Sequence, residues 1–353
     1  MDKRWIAAVA ATGLLALAAC SAGGTTPPPT GAPVTVGPSV APTKAGAPTP
    51  DVPVTWPLTG VATSKVADRP VITVKIENTA MARPQTGLES ADIVWEEIVD
   101  FGVPRLAAMF QSKTPKEVGP IRSVRPMDPA ISAPTHGLLA FSGGQAGIVA
   151  QVQRSGEQLF SNDAGAPGMY RTHDRAAPHN VYGSPATWWK HADAAHSKPP
   201  QPQFLFARTA AQSAAVAGGT AATHLAFHLT PLSQPRWTWD AEHDKWLRSE
   251  GKVASYSRSG KRLAATNVVS IVANHPNTRF KAQGGAPVPT YDLVGSGTGM
   301  IATGGRTIPV TWKKTSLDAP MRLFLADGSP ALLAPGNTWV ELVPKGTSSV
   351  SVG

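Results

Sequence analysis

From residue 70 onward the apolar runs of this chain are short, and each is closed off by Gly, Pro or Asn. Runs at 71–76, 92–99 and 105–111 read as strands, with a further one at 137–141. Between and after them, 145–154 places Ile148, Val149 and Val152 at helical spacing, and 184–195 opens with Pro185 just inside a Ser184 cap. The proline run within 198–203 marks a boundary, and an Ala-rich piece at 209–222 has helical composition. Beyond it the chain turns β-rich, with runs at 224–229, 236–240, 245–249, 268–273, 300–302, 307–312, 321–325 and 339–343. The expected fold class is α+β: a mixed α/β N-terminal domain over 56–203, then a mainly antiparallel, β-rich C-terminal domain over 204–353.

Composition narrows the function. Only 16% of the 353 residues are charged, where about 25% is ordinary for globular chains. An excess of 32 Lys and Arg over 23 Asp and Glu at such low density does not describe a nucleic-acid binder. A basic ectodomain suits an envelope of anionic lipids and polymers.

The N-terminus supplies the address. Lys3 and Arg4 precede an apolar stretch that ends in Leu17-Ala18-Ala19-Cys20, the layout of a signal peptide over 1–19 rather than of a membrane span. Cys20 is the only cysteine, so no disulfide scaffold exists, and its thiol stands where a diacylglyceryl group is attached, giving a lipoprotein with palmitate-type chains. Residues 20–55, rich in Pro, Gly, Thr and Ala, form a spacer from the anchor. The expected location is the extracytoplasmic face of the cell membrane, held by the N-terminal lipid.

Candidate chemistry concentrates in 78–129. If 93–101 is extended, Ile93, Trp95, Val99 and Phe101 share a face with Glu97, whose carboxylate needs a partner or a proton. Asp92, Glu96 and Asp100 lie on the other face, and the Phe-Gly-Val-Pro link predicts a hairpin that opposes Asp100 to Arg105. Arg122 and Arg125 stand three apart, and two guanidiniums close together grip one carboxylate or phosphate by forked hydrogen bonds. Arg83, Arg105, Arg122 and Arg125 with Glu96 are therefore read as an anion or sugar-acid site; the plainer reading is an internal salt-bridge network.

The runs ARPQTGLESADIVWEE, PRLAAMFQS, VGPIRSVRP, RAAPHNVYGS, GSGTGMIATGGRTIPVTWKK and LADGSPALLAPGNTWVELVP resemble, in order, the YerB-like lipoproteins, a two-domain bacterial family of unknown function. The resemblance implies a signal-anchored extracytoplasmic protein and supplies no reaction. Its pattern falls on Arg83, Pro84, Gln85, Gly87, Asp92, Glu96, Arg105, Gly119, Pro120, Arg122, Ser123, Arg125, Pro178, His179 and Asn180. Trp95 and Pro104 depart from the family's more usual Tyr and Thr. The ligand-binding candidates are Arg83, Gln85, Arg105, Arg122, Ser123, Arg125, His179 and Asn180.

Other motifs carry less. His173, His179, His191 and His196 cluster without an HExxH spacing, so no metal and no cofactor is expected. Ser142 lacks a full GxSxG, and the glycines at 295–299 lack the Lys-Ser/Thr of a phosphate loop. Trp237, Trp239 and Trp246 fit a sugar-stacking platform or core packing equally. Three functions follow: a module binding an anionic wall component or envelope partner; a wall hydrolase or transferase using Glu96 as general acid or base, paired with Asp92 or Asp100, with arginines to hold the anionic group and His179 beside them; or a structural partner in an envelope complex. Whether the chain is an enzyme is left open by its residues.

Overall fold

A computed structural model describes residues 52–353; Cys20, the signal segment and most of the spacer lie outside the described residues. In chain order the first segment supplies β1 (Ile72–Glu77), β2 (Ile93–Ile98), β3 (Pro104–Phe110), α1 (Asp128–Ser132), β4 (Leu138–Phe141), α2 (Ala146–Gln153), β5 (Gln158–Ser161), β6 (Met169–Arg171), β7 (Val181–Gly183) and α3 (Pro185–Lys190). The second supplies α4 (Ala214–Gly218), β8 (Thr220–Ala221), β9 (His224–His228), β10 (Pro235–Asp240), β11 (Lys245–Glu250), β12 (Val253–Ala254), β13 (Ala264–Ala265) and β14 (Asn267–Ala273). It continues with β15 (Asn277–Lys281), β16 (Pro287–Pro289), β17 (Gly295–Thr303), β18 (Arg306–Lys314), β19 (Arg322–Phe324), β20 (Thr338–Pro344) and β21 (Ser349–Val352). The α+β class read from the sequence is what the chain adopts.

Strands from both sides of the proline run enter one mixed sheet, in the order β19-β18-β17-β14-β20-β2-β3-β1-β4-β5, with β8 beside β18. β20 pairs in parallel with β14 on one side and with β2 on the other. β1, β4 and β5 are also mutually parallel, and α2 makes the crossover from β4 to β5. A second, antiparallel sheet runs β12-β11-β10-β9-β21, with β13 beside β11. Val52–Gly353 form one compact unit with its own hydrophobic core, a folding unit in its own right.

The second sheet covers one face of the first. Trp237 of β10 meets Trp339 of β20 edge-on at 5.4 Å, and Trp237 and Trp246 are fully buried with Trp239 tilted over Trp246. These tryptophans are core, not a sugar platform. On the opposite face Trp95 stacks on Phe204 at 6.0 Å, so β2 is covered on both sides. That double burial forces its two glutamates to find partners inside.

Glu97 does so with Lys75 of β1, whose ammonium also lies 2.7 Å from Asp128. The hairpin differs from expectation: Glu97, not Asp100, stands opposite Arg105. The strand ends at Ile98, and Phe101 takes a left-handed turn conformation (φ 62°) and points to solvent instead of sharing the buried face. Of the Ala-rich piece only α4 is α-helical, after a single 3-10 turn at Ala210–Gln212, because the chain must extend at Thr220–Ala221 to reach β18.

Burial also marks Glu157, which is 7% exposed and accepts from Ser155 Oγ at 2.5 Å. Desolvation pushes its carboxyl up to about 7. The folded state therefore holds this proton where the unfolded chain has released it, and stability falls as pH rises from roughly 4.5 to 7. Glu157→Gln should flatten that limb and add up to about 3 kcal/mol at pH 8, read from urea melts across pH.

Candidate functional site

The carboxyl ends of β1, β4 and β5 lie side by side, the place where open α/β sheets receive ligands. β1 ends in Glu77, β4 runs into Ser142-Gly143-Gly144, and β5 into Asn162-Asp163. The Arg122-Ser123 segment is laced between β1 and β4: Arg122 N–H donates to the Lys75 carbonyl at 2.9 Å, and Ser142 N–H to the Arg122 carbonyl at 3.0 Å. The chain runs so close here that a Cβ on Gly143 would overlap the Asp163 carboxylate. α2 opens at this corner with no side-chain cap on its first N–H groups.

Glu77, buried to 1% exposure, organises the site. His179 Nδ1 lies 2.9 Å from both of its oxygens, Thr79 Oγ1 donates to it at 2.8 Å, and Arg122 Nε stands 3.5 Å away. A ring N–H held by a carboxylate in this way makes Nδ1 the donor and leaves Nε2 as the basic nitrogen.

Arg105 enters from the start of β3, directly across from Glu77. It is 6% exposed, and its Nη1 donates to the Ser123 carbonyl at 2.9 Å. Its Nε is buried without a partner, and it forms no ion pair among the described residues. Burial first, then the charges of Arg125 and Arg122, push its pKa downward. Arg125, by contrast, is spent: it forks onto Asp100, with Nη2 at 3.1 Å, and donates to the Val124 carbonyl at 2.9 Å. Arg122 is half-buried, held by the Pro178 carbonyl at 3.3 Å and Glu77. Ser123 Oγ and Ser142 Oγ stand 3.5 Å apart beside it.

The other candidates take supporting positions. Gln85 Nε2 donates to the Glu77 carbonyl at 3.0 Å and to Asn78 Oδ1 at 2.9 Å. Asn180 is tied to Arg171 and Thr172 in its own loop. Arg83 donates to Asn78 and approaches Glu250 at 3.5 Å, lining a separate cavity of about 430 Å³ with Gln85, Ser255 and Tyr256. The four arginines thus do not share one pocket.

Glu96 and Asp92 do not fit the acid–base pair expected of them. Glu96 is fully buried between the sheets, bonded by Asn78 at 2.8 Å, Ser233 at 3.2 Å and Arg248 at 2.9 Å. Asp92 is buried at the far end of β2, accepting from the Gln111 and Ser112 N–H groups at 2.7 and 2.8 Å. Glu96 is out of a polymer's reach, and Asp92, four residues away just before β2, has its carboxylate committed to those N–H groups. Among the described residues no group of three or more His, Cys, Asp or Glu is placed to hold a metal ion, and His196 pairs instead with Asp193.

Glu77 and Asp163 escaped sequence reasoning. An acid closing the run VITVKIE resembles an ordinary strand end; only its place between the arginine and histidine loops singles it out. The loops 83–87, 119–125 and 178–180 meet there. The N-terminal domain described as "Protein of unknown function (DUF3048)" matches residues 58–198, and the family's C-terminal domain matches 225–340. The chain belongs to the DUF3048 family.

The DUF3048 N-terminal match contains the whole site, and the C-terminal match reaches from β9 into β20. The chain is similar to a Bacillus subtilis (strain 168) protein named "Putative lipoprotein YerB", 29% identical over 84% of this chain and 88% of that one. It is likewise similar to the crystal structure of the YerB protein from Bacillus subtilis, with a TM-score of 0.72 at 26% identity, covering 84% of this chain and 99% of that one. The DUF3048 description names no reaction, so chemistry has to be argued from the side chains.

Proposed function

We propose that this is a lipid-anchored envelope protein that binds an anionic group of a wall polymer or envelope partner where Arg105, Arg122 and Ser123 meet the ends of β1 and β4. The single observation that carries the reading is Arg105: a guanidinium nine-tenths buried, crowded by two others, with a buried donor unmatched and no carboxylate paired to it. Leaving such a charge uncompensated is costly, and an arriving carboxylate or phosphate relieves the cost through charge-assisted bonds. The lipid anchor is supported by the Leu-Ala-Ala-Cys run ending at Cys20 and by the name of the similar Bacillus protein.

The test is co-sedimentation of residues 52–353 with purified cell-wall sacculi, with released material followed by mass spectrometry. The wild type should pellet, and Arg122→Ala should weaken pelleting about tenfold, since bonds to charged groups contribute roughly 1.5–3 kcal/mol. Absence of pelleting in the wild type, or pelleting indifferent to Arg122, refutes the site.

A second reading is favoured by one contact, the Glu77–His179 pair, which orients an imidazole as a general base would be oriented. Wall fragments released by the wild type and not by His179→Ala would establish a hydrolase or transferase built on that pair. Glu96 has no part in this reading.

A further inference from the structure

The opposite end of the same strands carries a second basic cavity, of about 490 Å³. Lys113 follows the end of β3, Lys245 opens β11 and Lys261 precedes β13, and all three line it with Thr59, Ser112 and Asn337. Lys113 and Arg105 flank β3 at its two ends, roughly 25 Å apart along the strand, so this cavity is distinct from the arginine site.

Its charges are unbalanced. None of the three lysines pairs with a carboxylate among the described residues. Four cations in the wall, Lys113, Lys245, Lys261 and Arg262, face two acids: Asp92 is held by Gln111 and Ser112, and Glu89 accepts from Ser259 at 2.7 Å through one oxygen while its other oxygen is buried without a partner. Arg262, also in the wall, spends its guanidinium on the Ser255 carbonyl at 2.6 Å and Ser249 Oγ at 3.2 Å. Lys245 is half-buried, with Nζ donating to Thr266 Oγ1 at 2.6 Å, and burial together with the charge of Lys113 holds its pKa below the ordinary lysine range. Ammonium groups gathered in a cavity act as movable point charges with three donors each, which suits the several oxygens of a phosphate better than the flat fork of a carboxylate.

We infer that this cavity binds a phosphate group through Lys113, Lys245 and Lys261. Trp56 and Thr59, among the first described residues, line the same cavity. A phosphate on a lipid headgroup and a soluble phosphate both satisfy the chemistry.

The experiment titrates residues 52–353 with inorganic pyrophosphate by calorimetry, and in parallel sediments the protein with phosphatidylcholine vesicles lacking or containing phosphatidylglycerol. Lys113 and Lys261 are exposed, so Lys113→Glu/Lys261→Glu tests the site without touching the core. Pyrophosphate binding should weaken at least tenfold in that variant and persist in Arg122→Ala and in Lys252→Glu. Lysine-dependent sedimentation with phosphatidylglycerol vesicles identifies the headgroup as the source; pyrophosphate binding without it identifies a soluble phosphate. The site is overturned if pyrophosphate does not bind, if the double variant binds as the wild type does, or if Arg122→Ala alone abolishes binding.

Discussion

Arg248→Ala should lose about 3–5 kcal/mol of stability, the usual cost of stripping the partner from a buried charge. Arg248 is 2% exposed and bonds Glu96 at 2.9 Å, Glu250 at 2.7 Å and Ser255 at 3.0 Å, with its guanidinium 5.2 Å from the centre of the Trp339 ring. Beside Glu96, in register on the neighbouring strand, stands Glu341, which accepts from Trp237 at 2.9 Å. Burial raises both carboxyl groups, the charge of Glu96 raises Glu341 further, Glu250 raises both, and Arg248 works against the shift. With the arginine gone, two acids face each other in a dry core. Set against a typical total of about 5–15 kcal/mol, the loss leaves a protein at the edge of folding. A urea melt at pH 7 measures it. The deficit should shrink as pH falls, because raised folded-state pKa values mean that protonation favours the folded form. Adding Glu96→Gln should recover part of it, since Asn78 and Ser233 remain to bond the amide. A midpoint unchanged by Arg248→Ala would mean that the two sheets are fastened elsewhere.

Arg105→Gln should do the reverse: stability within about 1 kcal/mol of the wild type, and sacculus binding weaker by tenfold or more. The two arginines are similarly buried, but their surroundings differ. Arg248 is bonded directly to carboxylates, whereas Arg105 is bonded to a carbonyl alone, with Arg125 and Arg122 opposing its charge and Asp100 and Glu97 favouring it without a direct ion pair. Removing Arg105 discards repulsion and attraction together with its one hydrogen bond, so the losses and gains nearly cancel. A group that contributes little to folding yet is kept charged in the interior is placed for a ligand. Measuring both quantities on one variant separates this from a framework role, for which stability and binding would fall together. Loss of several kcal/mol in Arg105→Gln would assign the cluster to the framework.

Much of the fold was legible because each strand carries its own boundary. Runs such as VITVKIE and TWVELVP stop at turn residues, and β1, β14 and β20 follow them closely. Pairing was not legible. β20 lies between β14 and β2, and Glu96 stands across from Glu341, contacts so distant in sequence that no local pattern encodes them. The need of Glu97 for a partner could be read from alternation, while Lys75 as that partner could not, since a lysine in a strand ordinarily faces water. The expected Asp100–Arg105 pair places the turn at the Phe-Gly-Val-Pro link; the strand instead ends at Ile98, opposite Pro104, and the earlier turn delivers Asp100 to Arg125. At the site, residue type announced the arginines and His179. Depth was the missing quantity, and depth is what removes Glu96 and admits Glu77.

The parallel position of β20 bears on how the chain comes into being. β20 follows every other strand of the mixed sheet in chain order, and until it arrives β2 and β14 each present an open edge with unpaired N–H and C=O groups. The nascent protein therefore cannot complete its first half and then its second. It has to hold two half-sheets apart, shielded from each other's copies, until the closing segment slides between them. A chain stopped short of residue 338 would be two sticky fragments rather than a shortened protein.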